Sequence, residues 1–350
     1  MPVTAPPAPA FVDVVTEMLY YSGLALPVGI GMTIAFLAVP EVHGGVVAPR
    51  VRALAPAAAV FVAVSAGVHV LTAPASRGNS GGQTLMATAQ IVAYLLVVVA
   101  LLMLWKRPSR PLAGGLTALA VITAAIPSVS FVAPTLDGTA RNLLTLVHVL
   151  GALFWIGGLV VLATVGMLGR RARRRDPDSV DAERSSQDWG QIWERFTVVA
   201  LWAVGALITS GSWLAWTHVG TPVQLLTTPY GRYLTVKLVL VGIMLGAGAY
   251  NARVLLPRIA AAQRDGDDRG AVRIAVAHLP VVVVAEAVLA LAVLAVVPFL
   301  RGSARTEAGW PSAGGFDLTV FGTGLVLVAL VAFSLWWGSR RPQRVAVPSR

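Results

Sequence analysis

Long apolar stretches separated by short polar ones run through this chain from about residue 17 to 337, and none of them alternates apolar with polar positions. Nine stretches are long enough, at roughly 20 residues or more, to cross a hydrocarbon core of about 30 Å as a helix. They lie at 17–40, 51–72, 84–105, 111–135, 142–168, 196–217, 232–256, 278–300 and 316–337. Without a period of two they cannot be barrel strands. The predicted fold is all-α: a polytopic transmembrane helical bundle of about nine helices, with a short external tail (1–16) before it and a basic tail (338–350) after it.

Spans one to four align with spans five to eight in the same direction. Tyr20-x2-Gly23 falls over His148-x2-Gly151, the SAGVHV of the second span over the TSGSWL of the sixth, and Gln90 near Lys237. A parallel duplication needs an even number of spans per repeat, and four satisfies it. The expected organisation is therefore 4+4, with an N-terminal half at 17–135, a second half at 142–300, and one extra helix at 316–337.

Charge then sets the orientation. The formal net charge is +11, and of the 27 Lys and Arg residues 21 fall in loops and tails on one side, including GRRARRR at 169–175. In a soluble protein such a balance would suggest nucleic acid; here the basic side reads as cytoplasmic, facing anionic lipid, with the N-terminus outside and the C-terminus inside the cytoplasmic membrane. No basic leader precedes the first span, so no signal peptide is expected. Trp189, Ile192, Trp193 and Phe196, at helical spacing, predict an amphipathic segment lying along the interface before the sixth span. No nucleotide-binding or phosphorylation motif is present, so an enzyme is not expected.

Chemistry inside the spans is sparse. There is no cysteine, which removes thiolate sites and leaves His, Met, carboxylate and backbone oxygen as metal donors. His148 lies in LVHVLGALFWIGG, an imidazole within hydrocarbon, and such a group marks a functional site unless protein or water satisfies it. Trp155 lies seven residues on, on the same helix face, while Gly157 and Gly158 admit a close neighbour. His69 sits at a similar depth on the second span, and Met86 begins the third at that level. Two imidazoles and a thioether suit a soft ion such as Cu(I). Two histidines at one depth also describe a bis-imidazole haem, as in an electron-transfer bundle. Glu286, in HLPVVVVAEAVLALAVL, is the one carboxylate well inside a span; Lys237 is its candidate partner, or else snorkels outward. His43, His278 and His218 fall at span ends or in loops, and His218 in THVGTP needs no functional explanation.

In their order on successive spans, His148 with Trp155-x-Gly157-Gly158, Thr209-x-Gly211 with Trp216, Pro229-Tyr230-Gly231-Arg232 running to Lys237, Asn251-x-Arg253 and Glu286 resemble the copper resistance protein D (CopD) family, over about 142–300. The resemblance implies a membrane protein that moves copper inward and works with a periplasmic copper-binding partner of the CopC type. The tails flanking the bundle are too short for a fused copper-binding or oxidase-assembly domain, so that partner is expected to be a separate protein. Tyr20 stands where the repeat would want a second histidine. The expected metal ligands are His69, His148, Met86 and Glu286, with Trp155, Gly157, Gly158 and Lys237 along the pathway. A non-transporting accessory subunit is the remaining alternative.

Overall fold

A computed structural model describes residues 7–38, 45–72, 81–128, 135–175, 180–250, 253–254, 258, 261, 268–315 and 317–339. His43 and the basic tail from residue 340 lie outside them. Among the described residues the chain is helical throughout, with no strand. α1 spans Phe11–Met32 and continues as a π-turn, Thr33–Leu37; α2 is Val47–Ala53, α3 Ala55–Thr72, α4 Gly81–Lys106, α5 Arg110–Ala125, α6 Leu136–Arg175, α7 Val180–His218, α8 Gln224–Thr227, α9 Pro229–Tyr250, α10 Asp268–Val296, α11 Ala304–Glu307 and α12 Leu318–Ser339. Seven helices are long and apolar enough to cross a membrane, and α5 and the apolar part of α12 are shorter. Each of the nine expected stretches contains helix among the described residues, and seven of these helices have the length and apolarity of a span. The protein is a multi-pass membrane bundle.

Local chemistry sets several boundaries. Ser109 caps α5, its hydroxyl accepting from Leu112 N–H at 3.3 Å, and Pro111 occupies the first turn, where a missing N–H costs nothing. A 3₁₀ turn through Pro127 closes that helix early. Residues 189–196 form no separate interfacial segment. They belong to the 39-residue α7, and Ile192, Trp193 and Phe196 are buried, with Phe196 against Gly158 of α6. Their apolar face covers protein rather than lipid, which corrects the expectation of a helix lying in the interface.

Ion pairs and hydrogen bonds tie the helix ends together. At the end where α1 begins, Arg301 bonds Asp13 at 3.3 Å and Glu17 at 3.2 Å, and Tyr230 N–H donates to Glu307 at 3.0 Å. At the opposite end Arg195 donates to the Leu37 carbonyl at 3.2 Å.

The centre of the bundle is the crossing of α1 and α6. Ala25 and Gly29 lie against Gly157, and Gly29 also against Val161, so the two helices run parallel. A Cβ on Gly29 would strike the Gly157 carbonyl, and one on Gly157 the Ala25 carbonyl. Backbone meets backbone, and only glycine permits it. Gly29 and Gly157 are 128 residues apart, the separation that also relates Tyr20 to His148. A contact between equivalent positions is what an internal twofold axis produces.

Around that axis the packing repeats. α1 packs on α3 and α5 as α6 packs on α7 and α10, and α4 packs on α5 as α9 packs on α10. One pairing fails. α3 and α4 pack closely, whereas α7 and α9 share no extended contact, and α7 takes α12 as its neighbour instead. Gly324 of α12 sits over Thr209 and Ser212, and Gly205 faces Val328. The extra ninth helix thus occupies the flank of α7.

Candidate functional site

His148 is placed by the antiparallel pairing of α6 with α7. Close approaches of Gly158 to Phe196 and of Gly151 to the Ala203 carbonyl set the register. That register carries His148 to Ser210 and Gly211, whose missing side chain leaves room for the ring, since a Cβ there would stand 3.4 Å from His148 Cε1. His148 Nδ1 lies 3.1 Å from Ser210 Oγ, and Ser210 Oγ donates its own proton to the Ala206 carbonyl at 2.5 Å. With that proton committed, Ser210 can only accept, so Nδ1 carries the imidazole hydrogen and Nε2 keeps its lone pair. A hydrogen bond at one ring nitrogen that frees the other is how proteins prepare a histidine to take a metal or a proton.

Lys237, on α9, stands close enough to His148 to act on it electrostatically. It does not reach Glu286. Glu286 is 5% exposed, its Oε1 has no hydrogen-bond partner, and it faces Gly248, where a Cβ would lie 3.9 Å from Oε1. Gly248 is eleven residues beyond Lys237, about 16 Å along α9. The two charged groups therefore occupy different levels of the bundle, and no ion pair joins them.

The equivalent cluster in the N-terminal half is uncharged. Tyr20 stands near Gln90 of α4, the counterpart of the approach of Lys237 to His148. His69 packs on Tyr20, ring centroids 4.6 Å apart, and Ser65 donates to the Leu19 carbonyl at 2.6 Å. Gln90 Nε2 and Tyr94 hydroxyl are buried without a partner. Met86 lies four residues before Gln90, on the same side of α4. His69 and His148 are thus engaged by different helices in different halves: His69 by α1, His148 by α7. Trp155 is buried on α6, and Gly158 accommodates Phe196 and Met32. The His278 side chain is outside the described residues. Among those described, no group of three or more His, Asp or Glu forms a cage for a metal.

Ser210 was not singled out by sequence as the partner of His148, although TSGSW is visibly a polar patch in a span. Helical spacing places it on α7 but cannot aim it at α6. Gly29 carried no sequence signal, since it is one glycine among 34.

The fold and this site define a multi-pass helical membrane bundle whose two halves pack alike, with a half-buried imidazole on α6 and a half-buried lysine on α9 acting on it electrostatically. Residues 190–300, which run from within α7 through α10 and just beyond it, match the family model described as copper resistance protein D. Neither a curated protein nor a solved structure matches the chain.

Proposed function

We propose that this protein moves copper ions across the cytoplasmic membrane, inward, with His148 as the central intramembrane ligand. The observation that carries the reading is the bond from His148 to Ser210, which leaves Nε2 as an open donor in the core of a bundle whose α7–α10 segment is CopD-like. Glu286, buried and with an unpartnered oxygen, supplies a carboxylate on α10 along the same bundle. Its isolation is costly unless it is protonated or meets a cation, and a passing copper ion is such a cation. His69 and Met86 add imidazole and thioether donors in the N-terminal half, where they form a second, weaker resting place. The positive-inside rule puts the end where α1 begins outside, so the ion is received there from a separate copper-binding protein of the CopC kind.

A haem held by both His69 and His148 is less well supported, because the two rings are engaged in separate clusters. A visible spectrum of the purified protein decides it: a Soret band would favour haem.

Copper uptake by cells carrying His148→Ala or Glu286→Gln, at matched amounts of membrane protein, tests the proposal. His148→Ala is expected to lower uptake to the level of cells without the protein, and Glu286→Gln to lower it severalfold. Uptake unchanged in His148→Ala removes His148 from the pathway.

A further inference from the structure

We infer that His218, at the α1-start end of α7, is a second copper ligand: the outermost station of the pathway, which hands the ion along α7 to His148. The inference rests on the transport reading above for its direction, though the site itself stands on its own geometry.

His218 Nδ1 donates to the Leu214 carbonyl at 2.8 Å and lies 2.9 Å from Thr217 Oγ1, whose own proton goes to the same carbonyl at 2.9 Å. A carbonyl can only accept, so Nδ1 bears the hydrogen and Nε2 presents a lone pair. The ring is held flat on Tyr230, centroids 5.6 Å apart and planes 7° from parallel. Tyr230 is itself fixed, because Glu307 caps its N–H and Gly231 behind it packs directly on Gln224. Arg305, donating twice to the Trp216 carbonyl at 3.1 and 3.2 Å, locks the last turn of α7 to the same cap. A half-buried imidazole is therefore oriented on a rigid platform, with its metal-binding nitrogen uncommitted.

His148 has the same preparation: Nδ1 committed, Nε2 open, and its orienting residue, Ser210, also on α7. Eight residues separate Ser210 from His218, about 12 Å of helix. Two imidazoles in the same protonation arrangement thus mark the mouth and the interior of one helix. A receiving station gains from an incomplete ligand set, because a donor protein can then release its ion by exchanging one ligand at a time. An imidazole alone supplies that, and Cu(I), a soft ion, accepts it.

The competing explanation is that His218 merely caps α7 by satisfying a terminal carbonyl. His218→Asn separates the two, since an amide keeps a donor near the Nδ1 position and loses the Nε2 donor. In copper uptake assays, His218→Asn and His218→Ala are both expected to raise KM about tenfold, a change of about 1.4 kcal/mol in capture, with the maximal rate within about twofold of wild type. A wild-type KM in His218→Asn overturns the proposal in favour of capping. Equilibrium Cu(I) binding by the purified full chain, against a competing chelator, supplies a readout free of transport. Beyond any copper held at His69 and Met86, His148→Ala is expected to retain one weaker copper equivalent that His148→Ala with His218→Asn loses. If His148→Ala retains none, or if the second change alters nothing, the outer station does not exist. Copper retained at His218 without uptake by wild type would sink the transport reading and leave the site standing.

Discussion

The two halves of the bundle share a frame and differ in chemistry. In α1–α5 the position opposite α4 is Tyr20, near Gln90, and the cluster around it has hydroxyls, an amide and one stacked histidine. In α6–α10 the same positions are His148 and Lys237. The neighbours differ in step with this. α3 packs against α4, closing the uncharged cluster, whereas α7 leaves α9 and packs against α12, so the charged cluster is not closed by the corresponding helix pair. Two halves that pack alike thus differ in closure: one is a packed polar core, the other is not closed in the same way, and α12 covers the flank of α7. In this comparison the segment that matches the family model is the one that carries Lys237 and the buried Glu286.

The comparison breaks most completely if the shared axis is removed. Gly157→Val would push a branched side chain into the backbone of Ala25 and Gly29 at the crossing of both halves. Overpacking typically costs about 1–3 kcal/mol, and here the obstacle is backbone that cannot rotate away. Loss of folded protein from the membrane is the expected result, read by size-exclusion of the detergent extract. A monodisperse Gly157→Val protein of wild-type stability would show that the close α1/α6 crossing is not formed.

A smaller effect is expected from making the charged half resemble the uncharged one. Lys237→Met removes the cation beside His148, and a like charge in a low-dielectric site opposes the arrival of another. Copper binding by the purified protein should tighten on the order of tenfold, while release, and with it turnover, slows. The same change at the equivalent position, Gln90→Met, should leave copper affinity near wild type, because no charge is lost. Equal affinity in wild type and Lys237→Met would take Lys237 out of the copper site.

Much of this was legible in the chain. Nine apolar runs gave nine helices, and Tyr20-x2-Gly23 over His148-x2-Gly151 gave the register of the repeat, down to the contact at Gly29 and Gly157. What could not be read was facing. In lipid the outside of a helix is as apolar as its protein-facing side, so Ala, Val and Gly do not report which neighbour they meet. For that reason the sequence does not aim Ser210 at His148, and it places Phe196 at the interface although that ring fills the space beside Gly158. The Lys237 and Glu286 pairing stayed open for a related reason. Both lie in spans, but only the placement of Gly248 against the carboxylate shows that they are about three turns apart.

The smallest effect tests whether the N-terminal cluster is packing alone. Tyr94 buries a hydroxyl with no hydrogen-bond partner, and an unsatisfied buried donor costs about 1–3 kcal/mol. Tyr94→Phe keeps the ring and removes that penalty. If the cluster is structural, thermal unfolding in detergent should shift slightly upward, and copper uptake should be untouched. In the other half no such trade exists, since His148 Nδ1 is bonded to Ser210. A fall in uptake with Tyr94→Phe, at unchanged stability, would mean that the hydroxyl meets something during transport, and that the two halves are alike in function as well as in frame.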